Sequence, residues 1–466
     1  NKDAKNAKGH KGVNGVDNAL CVLCVLCDQE TSESGRAARV AAGEQALRLS
    51  LRPLLLKNEG SFMKQIQKVL VVNCGSSSLK FQLFDMKGEK MLCKGLVERI
   101  GLDGSRLVYT KTGCDKVVRE VPMKDHVAAI GQVMAVLTDA EVGVIASLSE
   151  LDAIGHRVVH GGDKFSAPAK LTAAAKKLIA KCIPLAPLHN PANLQGIEAC
   201  EKAAKGVPNV GVFDTAFHQT MPGCAYEYAL PRPLTKKYGL RKYGFHGTSH
   251  KFLTQAAAAW LKKPLKKVNL VTCHLGNGSS LAAVKNGECL DTTMGLTPLD
   301  GLIMGTRCGR VDPGVIFFLA KHGYTIDEID TLLNKESGFQ GLAGVKGGDS
   351  RDVVAKAEAG DLDALEALEA FGHRTALYVG GYNTLVGGAD AIVMAGGIGE
   401  NASELREQIV KRLGALGVKL DKKANRKVRF GASGVISTKD SKIPVVVIPT
   451  NEELMIARET VAVLKK

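Results

Sequence analysis

Two small-residue turns carry the first chemical signal in the chain. Gly75, Ser76, Ser77 and Ser78 offer backbone N–H groups and hydroxyls with almost no side-chain bulk, a composition that suits a loop wrapped against a phosphate oxygen. Lys80 adds a point charge beside it. The turn joins two apolar runs instead of opening a helix, and it lacks the GxxxxGK(S/T) pattern, so it is not a Walker loop. A solvated hairpin is the competing reading of this stretch alone. Roughly 200 residues on, the design recurs in LVTCHLGNGSSLAAV (270–284), with His274 before a turn of Gly276, Asn277, Gly278, Ser279 and Ser280. A hairpin repeated at long range, each copy with a Gly/Ser turn, points to two related halves facing one ligand.

Charged and titratable residues stand at other interruptions of the apolar pattern. Arg157 lies beside the pair Gly161-Gly162, where it can reach an anion or close a structural ion pair. Asp214 follows the apolar run 210–213, at the C-terminal end of a strand, where α/β sheets place catalytic groups and where helix caps are as common. His246 is expected in a loop just ahead of a helix capped by Thr248 or Ser249. Arg307, Arg310 and Asp312 fall in the long Gly/Pro-rich segment 292–314; such segments are functional or disordered, and the arginines favour function. Glycine turns at 344–352 and 389–402 each precede a helix and so present N–H groups to a nucleotide. GGIGEN in the second lacks GxGxxG, which disfavours a dinucleotide site.

The elements that must position these residues follow from periodicity. Residues 69–84 read as strand, tight turn, strand, because Leu79, Phe81 and Leu83 alternate with Lys80 and Gln82. A third strand runs to 97 after a turn at Lys87-Gly88. A helix is expected over 125–137, a strand over 151–159 and a helix over 171–181. The rigid loop 184–191 carries Leu188 and His189, and Asn190 with Pro191 forms an N-cap and N1 pair for a helix closed by Gly206. The segment 256–260 reads as core helix, 443–448 as strand, and Asn451-Glu452-Glu453 as the cap of the last helix.

Composition narrows the class. At 466 residues, 45% of them hydrophobic, the chain can hold about three domains with sizeable cores. The longest apolar run, 19–27, has nine residues, short of the ~18 of a membrane span. A net charge of +15 comes with only 5% aromatics and scattered Lys and Arg, so a surface that attracts anionic substrates is the simpler reading than nucleic acid. Twelve dispersed cysteines read as reduced thiols of a cytoplasmic enzyme. Residues 1–62 form an extension, expected to be disordered or not native, with Met63 as the natural start. Cys21, Cys24 and Cys27 have C-x-x-C-x-x-C spacing without a fourth ligand or a following proline, which disfavours a metal or cluster site.

From about Met63 to the C-terminus, ordered blocks resemble the acetate kinase family of the acetate and sugar kinase, Hsp70 and actin superfamily. They are NCGSSSLK (73–80), GHRVVHGG (155–162), FDTAFHQTMP (213–222), YGFHGTSH (243–250), HLGNGSS (274–280), MGTRCGRVDPG (304–314), AGGIGENA (395–402) and TNEEL (450–454). The resemblance implies an α/β, two-domain, duplicated ribonuclease H-like fold. Its domains would span 63–213 and 214–451, with helix 452–466 returning to the first. It implies reversible transfer of a phosphoryl group from ATP to acetate, giving acetyl phosphate and ADP, directly and in line. The cofactor would be Mg²⁺, or Mn²⁺ in its place, and the assembly a homodimer without nucleic-acid or membrane partners.

By matching motif positions, Arg157 would hold the carboxylate, Arg307 the phosphoryl oxygens, and His246 would donate to the same group in the transition state. Asp214 would orient rather than abstract a proton, since acetate is ionised near neutrality. Val159, Leu188, His189, Phe245 and Pro298 would line the acyl site. Lys80, His274, Leu275, Gly276, Asn277, Gly278, Asp349, Ser350, Arg351, Gly397, Ile398, Gly399, Glu400 and Asn401 would contact the nucleotide. Asn73 and Glu452 would hold the metal, Glu452 in preference to Glu453. Cys74 stands where alanine is common in the family, and a thiol-sensitive site is expected from it. Propionate or butyrate kinase is the alternative within the class, and a non-catalytic ATP-binding switch the alternative outside it.

Overall fold

The computed structural model describes residues 65–466. The extension, the start at Met63 and the spacing of Cys21, Cys24 and Cys27 lie outside the described residues.

The first sheet contains β1 (Lys68–Cys74), β2 (Ser78–Asp85), β3 (Lys90–Glu98), β4 (Arg106–Lys111), β5 (Lys116–Glu120), β6 (Ala153–Val158), β7 (Ala169–Lys170) and β8 (Asn209–Phe213), in the order β5-β4-β3-β2-β1-β6-β8-β7. β1, β2 and β3 form an antiparallel meander, whereas β6 joins β1, and β8 joins β6, in parallel. The second sheet contains β9 (Leu270–Leu275), β10 (Ser279–Lys285), β11 (Glu288–Thr292), β12 (Ala391–Ala395), β13 (Gly434–Val435) and β14 (Val445–Val447), in the order β11-β10-β9-β12-β14-β13. Its core repeats the first: a meander β9-β10-β11, then β12 and β14 parallel to β9. This repeated mixed order matches the two related halves expected from the hairpins and the duplicated α/β fold that the resemblance implies.

Burial follows from this topology. β1 is a continuous apolar run, with Val69 to Val72 all buried, because helices cover both faces of the sheet. On one face lie the helices His126–Leu137 and Asn190–Ala203, burying Ile130, Val133 and Cys200 with Leu70 and Val72. On the other lies the C-terminal helix Glu452–Leu464, with Ile456 and Ala457 against Val69, Val71 and Val212. Gly155 of β6 permits that approach, since a Cβ there would sit 2.8 Å from Ile456 and closer still to Thr460. In the second sheet the 25-residue helix Leu362–Val386 covers one face through Phe371 and Val379, and Gly247–Trp260 covers the other through Leu253 and Ala257. Among the described residues no helix is long and apolar enough to cross a membrane.

Two local expectations are corrected. The helix expected to start with Asn190 as its cap includes Asn190, and His189 is the cap. The Asn190 side chain instead accepts from the His160 N–H at 3.1 Å and donates to the His160 carbonyl at 3.0 Å, tying the helix to the loop after β6. Likewise His246 is itself the N-cap of Gly247–Trp260, with φ +56°, and Thr248 and Ser249 lie inside the first turn. Their hydroxyls are then free to serve side chains behind the site.

Candidate active site

The C-terminal ends of the central strands deliver the polar residues. At the end of β1 the Gly75 N–H donates to the Ser78 carbonyl at 2.8 Å, closing the first glycine turn. Asn193 donates to the Cys74 carbonyl at 2.8 Å and accepts from the Val159 N–H at 3.0 Å, which couples the ends of β1 and β6. The Cys74 thiol faces away under Gly196, and burial pushes its pKa up to about 12. A protonated, buried thiol is a poor nucleophile, so the expected thiol sensitivity at Cys74 is not supported.

Arg157, the penultimate residue of β6, meets Asp214 just past β8. Arg157 Nη2 donates to Asp214 Oδ2 at 2.6 Å, and Nε donates to Oδ2 and Oδ1 at 3.0 and 3.1 Å. The Asp214 side chain is 1% exposed. Its backbone is fixed as firmly: the N–H donates to the Val158 carbonyl at 3.0 Å and the carbonyl accepts from the Gly247 N–H at 2.9 Å. Any Cβ at position 247 would collide with that carbonyl. Burial pulls against the charge of Arg157, but Asp214 and Glu452 outweigh it and hold the guanidinium more firmly protonated.

His246 and Arg307 flank the second glycine turn. A Cβ at Gly278 would lie 3.4 Å from His246 Nε2 and 3.5 Å from Arg307 Nη1, so both groups face one small space. Behind it, His246 Nδ1 lies 2.8 Å from Ser280 Oγ. The His246 ring lies 4.3 Å from that of His274, centroid to centroid. His274 Nδ1 is in turn 2.8 Å from Ser249 Oγ, which is 2.7 Å from Thr450 Oγ1. Burial lowers His274 to about 4 and, with neighbouring rings and arginines, holds His246 well below the ordinary histidine range. Arg307 makes only weak contacts, to the Pro298 carbonyl at 3.4 Å and Met304 Sδ at 3.8 Å, and no carboxylate pairs with it among the described residues. Arg310, by contrast, is exposed.

Glu452 stands where the metal is expected. Burial raises its carboxyl to about 7; Arg157 opposes the rise, and Asp214 and Glu453 add to it. Its sole ionic neighbour within 4 Å among the described residues is the His274 ring, at 3.9 Å. A half-buried oxygen donor crowded by carboxylates fits a hard cation. Glu453 instead lines a separate hollow with Lys80 and Lys94. Asn73 is half-buried and pairs across the β1–β2 register with Lys80. No cluster of three or more His, Cys, Asp or Glu exists among the described residues.

An apolar cluster sits beside these groups. Val159 and Phe245 pack with Ala186, Met294 and Met304. The last three escape sequence reasoning because they lie in loops without periodicity. His189 is near enough for both Arg157 and Arg307 to add to the lowering that burial imposes on it. Pro298 touches Arg307 through its carbonyl. Leu188 is 66% exposed and outside the cluster.

A cavity of about 880 Å³ opens beyond the second glycine turn. Its lining includes Gly276, Asn277, Asp349, Ser350, Arg351, Gly397, Ile398 and Asn401. Asp349 caps the helix Ser350–Glu358 by accepting from the Arg351 N–H at 2.9 Å. The cavity also contains Arg429 and Phe430, which sequence reasoning misses because they lie in a mixed polar segment with no motif. Phe430 is 84% exposed, has φ +55° and donates its N–H to Asn401 Oδ1 at 2.8 Å. Buried Arg406 donates to the Gly399 and Glu400 carbonyls at 3.0 and 2.9 Å and to the Val428 carbonyl at 2.9 Å, bracing two walls. Six expected nucleotide contacts do not line this cavity: Lys80, His274, Leu275, Gly278, Gly399 and Glu400. Leu275 is buried in β9, and Glu400 Oε1 accepts from the Gly396 and Thr450 N–H groups at 2.8 and 3.1 Å. A larger hollow of about 1030 Å³ beside Lys90 and Thr112 contains none of the expected residues.

The acetokinase family profile matches residues 68–458. An acetate kinase of Clostridioides difficile is 52% identical over 400 residues, covering 85% of this chain and 100% of the relative. One of Thermotoga maritima is 50% identical over 400 residues, covering 86% and 99%. The crystal structure of Porphyromonas gingivalis acetate kinase superposes with TM-score 0.81 at 46% identity, covering 85% of this chain and 100% of that one. A propionate kinase from Francisella tularensis superposes with TM-score 0.79 at 42% identity, covering 84% and 99%.

Proposed function

The chain belongs to the acetokinase family, and on that premise we propose how its own residues carry out the reaction. The protein is an acetate kinase, with ATP/ADP, acetate and acetyl phosphate as its substrates. The observation that carries the assignment of roles is that His246 and Arg307 both face Gly278 of the second glycine turn, with Arg157 near enough to add to the lowering of His246.

Phosphoryl transfer demands positive charge around a group that gathers negative charge as it moves. Arg307, with no carboxylate partner, supplies that charge to the phosphoryl oxygens, and His246 Nε2 supplies a hydrogen bond. Arg157 binds the acetate carboxylate through the edge that Asp214 leaves free. Acetate is already ionised, so Asp214 has no proton to remove. Its task is to hold Arg157 in one orientation. Asn73 and Glu452 would hold Mg²⁺ or Mn²⁺, which would supply positive charge to offset that of the phosphates. Lys80 and the turn at Gly276–Gly278 lie toward the phosphates. Adenosine occupies the cavity between the 347–351 turn and Phe430, whose ring offers the base a stacking face. Glu400 and Gly399 act behind that wall.

The repeated sheets support a division at about residue 213, with the helix Glu452–Leu464 belonging to the first domain by its packing on Val69 and Val212. Homodimerisation is supported by exposed Phe317, Phe318, Ile326 and Leu377, 60 to 68% exposed, apolar side chains that a second copy of this chain would cover. The nine free cysteines of the described residues support a reducing, cytoplasmic setting.

A hydroxamate assay with C2 to C4 acids tests the reading. Acetate-dependent hydroxamate with propionate as a poorer substrate is expected. ATP turnover indifferent to acetate would favour a nucleotide-driven switch instead.

A further inference from the structure

Behind His246 runs a chain of polar groups that phosphoryl transfer itself leaves without a task. Ser280 Oγ lies 2.8 Å from His246 Nδ1 and 2.9 Å from His250 Nε2. His250 Nδ1 lies 2.8 Å from Thr272 Oγ1. Ser280, His250 and Thr272 are all 0% exposed. A buried polar chain costs free energy unless every member is satisfied, so its direction matters.

A neutral imidazole donates from one nitrogen only, and the partner at one nitrogen decides what the other presents. Burial first, then neighbouring histidine rings and, at His246, Arg157 and Arg307, keep both His246 and His250 well below the ordinary histidine range, so both rings are neutral near pH 7. Two directions satisfy the contacts. If His246 donated from Nδ1 to Ser280, its Nε2 would turn a lone pair toward the glycine turn and repel phosphoryl oxygens. If Ser280 donates to Nδ1, Nε2 carries the hydrogen and meets those oxygens as a donor.

The far end of the chain chooses between them. The Thr272 hydroxyl has two acceptors within reach, His250 Nδ1 at 2.8 Å and the Ala282 carbonyl at 3.4 Å. The shorter contact is the better bond. Thr272 then donates to His250, His250 donates from Nε2 to Ser280, and Ser280 donates to His246.

We propose that Thr272, His250 and Ser280 are positioning residues whose directional hydrogen bonds hold His246 in the tautomer with its hydrogen on Nε2, facing the transferring phosphoryl group. No proton moves along the chain during turnover. It aligns the donor before substrate arrives, so no reorganisation is needed as charge develops. The inference rests on the reading of His246 as a donor to the phosphoryl group.

The full chain labelled with ¹⁵N in histidine, with Mg²⁺ and ADP, gives the direct test. The His246 signals, assigned by loss in His246→Ala, should show a bare Nδ1 and a protonated Nε2. Thr272→Val, which keeps the shape and removes the donor, should shift His246 toward the other tautomer with an unchanged circular dichroism spectrum. Ser280→Ala should lower kcat by about 10- to 100-fold with KM for ATP within about twofold. A wild-type His246 with its hydrogen on Nδ1, or a Ser280→Ala variant with wild-type kcat, would overturn the relay. Full activity in His246→Ala would overturn the underlying reading of His246 itself.

Discussion

Arg157 and Asp214 form a forked ion pair, with Nη2 to Oδ2 at 2.6 Å and Nε bridging both carboxylate oxygens at 3.0 and 3.1 Å. The carboxylate therefore already accepts three hydrogen bonds from the group that would bind the substrate. Removing one partner of a buried pair outright costs ~3–5 kcal/mol, so Asp214→Asn is a gentler probe than Asp214→Ala. We expect Asp214→Asn to raise KM for acetate and lower kcat while KM for ATP stays within about twofold, because Arg157 loses its alignment. Steady-state kinetics with each substrate varied decides this. An unchanged KM for acetate, with a kcat that recovers at high pH, would instead indicate proton transfer by Asp214.

Phe430 pairs an 84% exposed ring with a left-handed backbone, a conformation that costs a non-glycine residue about 1 kcal/mol or more. A base stacked on an aromatic ring gains ~1–3 kcal/mol. Phe430→Gly should therefore raise KM for ATP by about tenfold without lowering Tm, since strain relief offsets the extra chain entropy. Calorimetry and ATP titration on one sample check both halves. An unaltered KM for ATP would remove Phe430 from the base site.

The two hairpins and their glycine turns were legible because alternation is a strong local signal: Leu79, Phe81 and Leu83 are buried while Lys80 is exposed. Side chains that act at helix starts were harder to read. Asn190 looks like a cap from its neighbour Pro191, yet a tertiary partner, the His160 backbone, claims its amide. His246 caps its helix in a left-handed conformation that remains uncommon for any non-glycine residue. Met294, Met304 and Phe430 come from segments where neither period operates, and only the folded chain brings the methionines into the apolar cluster and Phe430 to the cavity beyond the second glycine turn.

His156 gives a pH dependence that is independent of the site. Its Nε2 donates to Asn209 Oδ1 at 2.7 Å, and burial lowers its pKa to about 4, against roughly 6.5 when unfolded. Between those values the unfolded chain binds a proton that the folded chain does not. Stability contributed by the neutral ring is therefore complete above about pH 6.5 and falls as pH drops toward 4, by roughly 3 kcal/mol for this group. His156→Gln keeps a neutral donor and removes the titration. Urea midpoints at pH 7 and pH 5 should converge in the variant relative to wild type, and equal losses in both would assign the acid sensitivity to other buried histidines.

Val159 is the residue on which acyl-chain length should turn. It is buried with Phe245, Ala186, Met294 and Met304, directly after the strand that carries Arg157, so a methyl group extending from a carboxylate held by Arg157 would point among them. Such a pocket discriminates weakly: one methylene in an apolar site changes binding by ~1–3 kcal/mol, and methionine side chains adjust readily to shape. Wild-type protein should thus prefer acetate yet still turn over propionate. Val159→Ala removes two methyl groups from the wall and opens room for one more carbon. We expect kcat/KM for propionate to rise relative to acetate by about tenfold, with KM for ATP unchanged, because the nucleotide cavity lies beyond the second glycine turn. Competition between the two acids in one assay gives that ratio directly. An unchanged chain-length profile in the variant would take Val159 out of the pocket, and a wild-type preference for propionate would reassign the substrate.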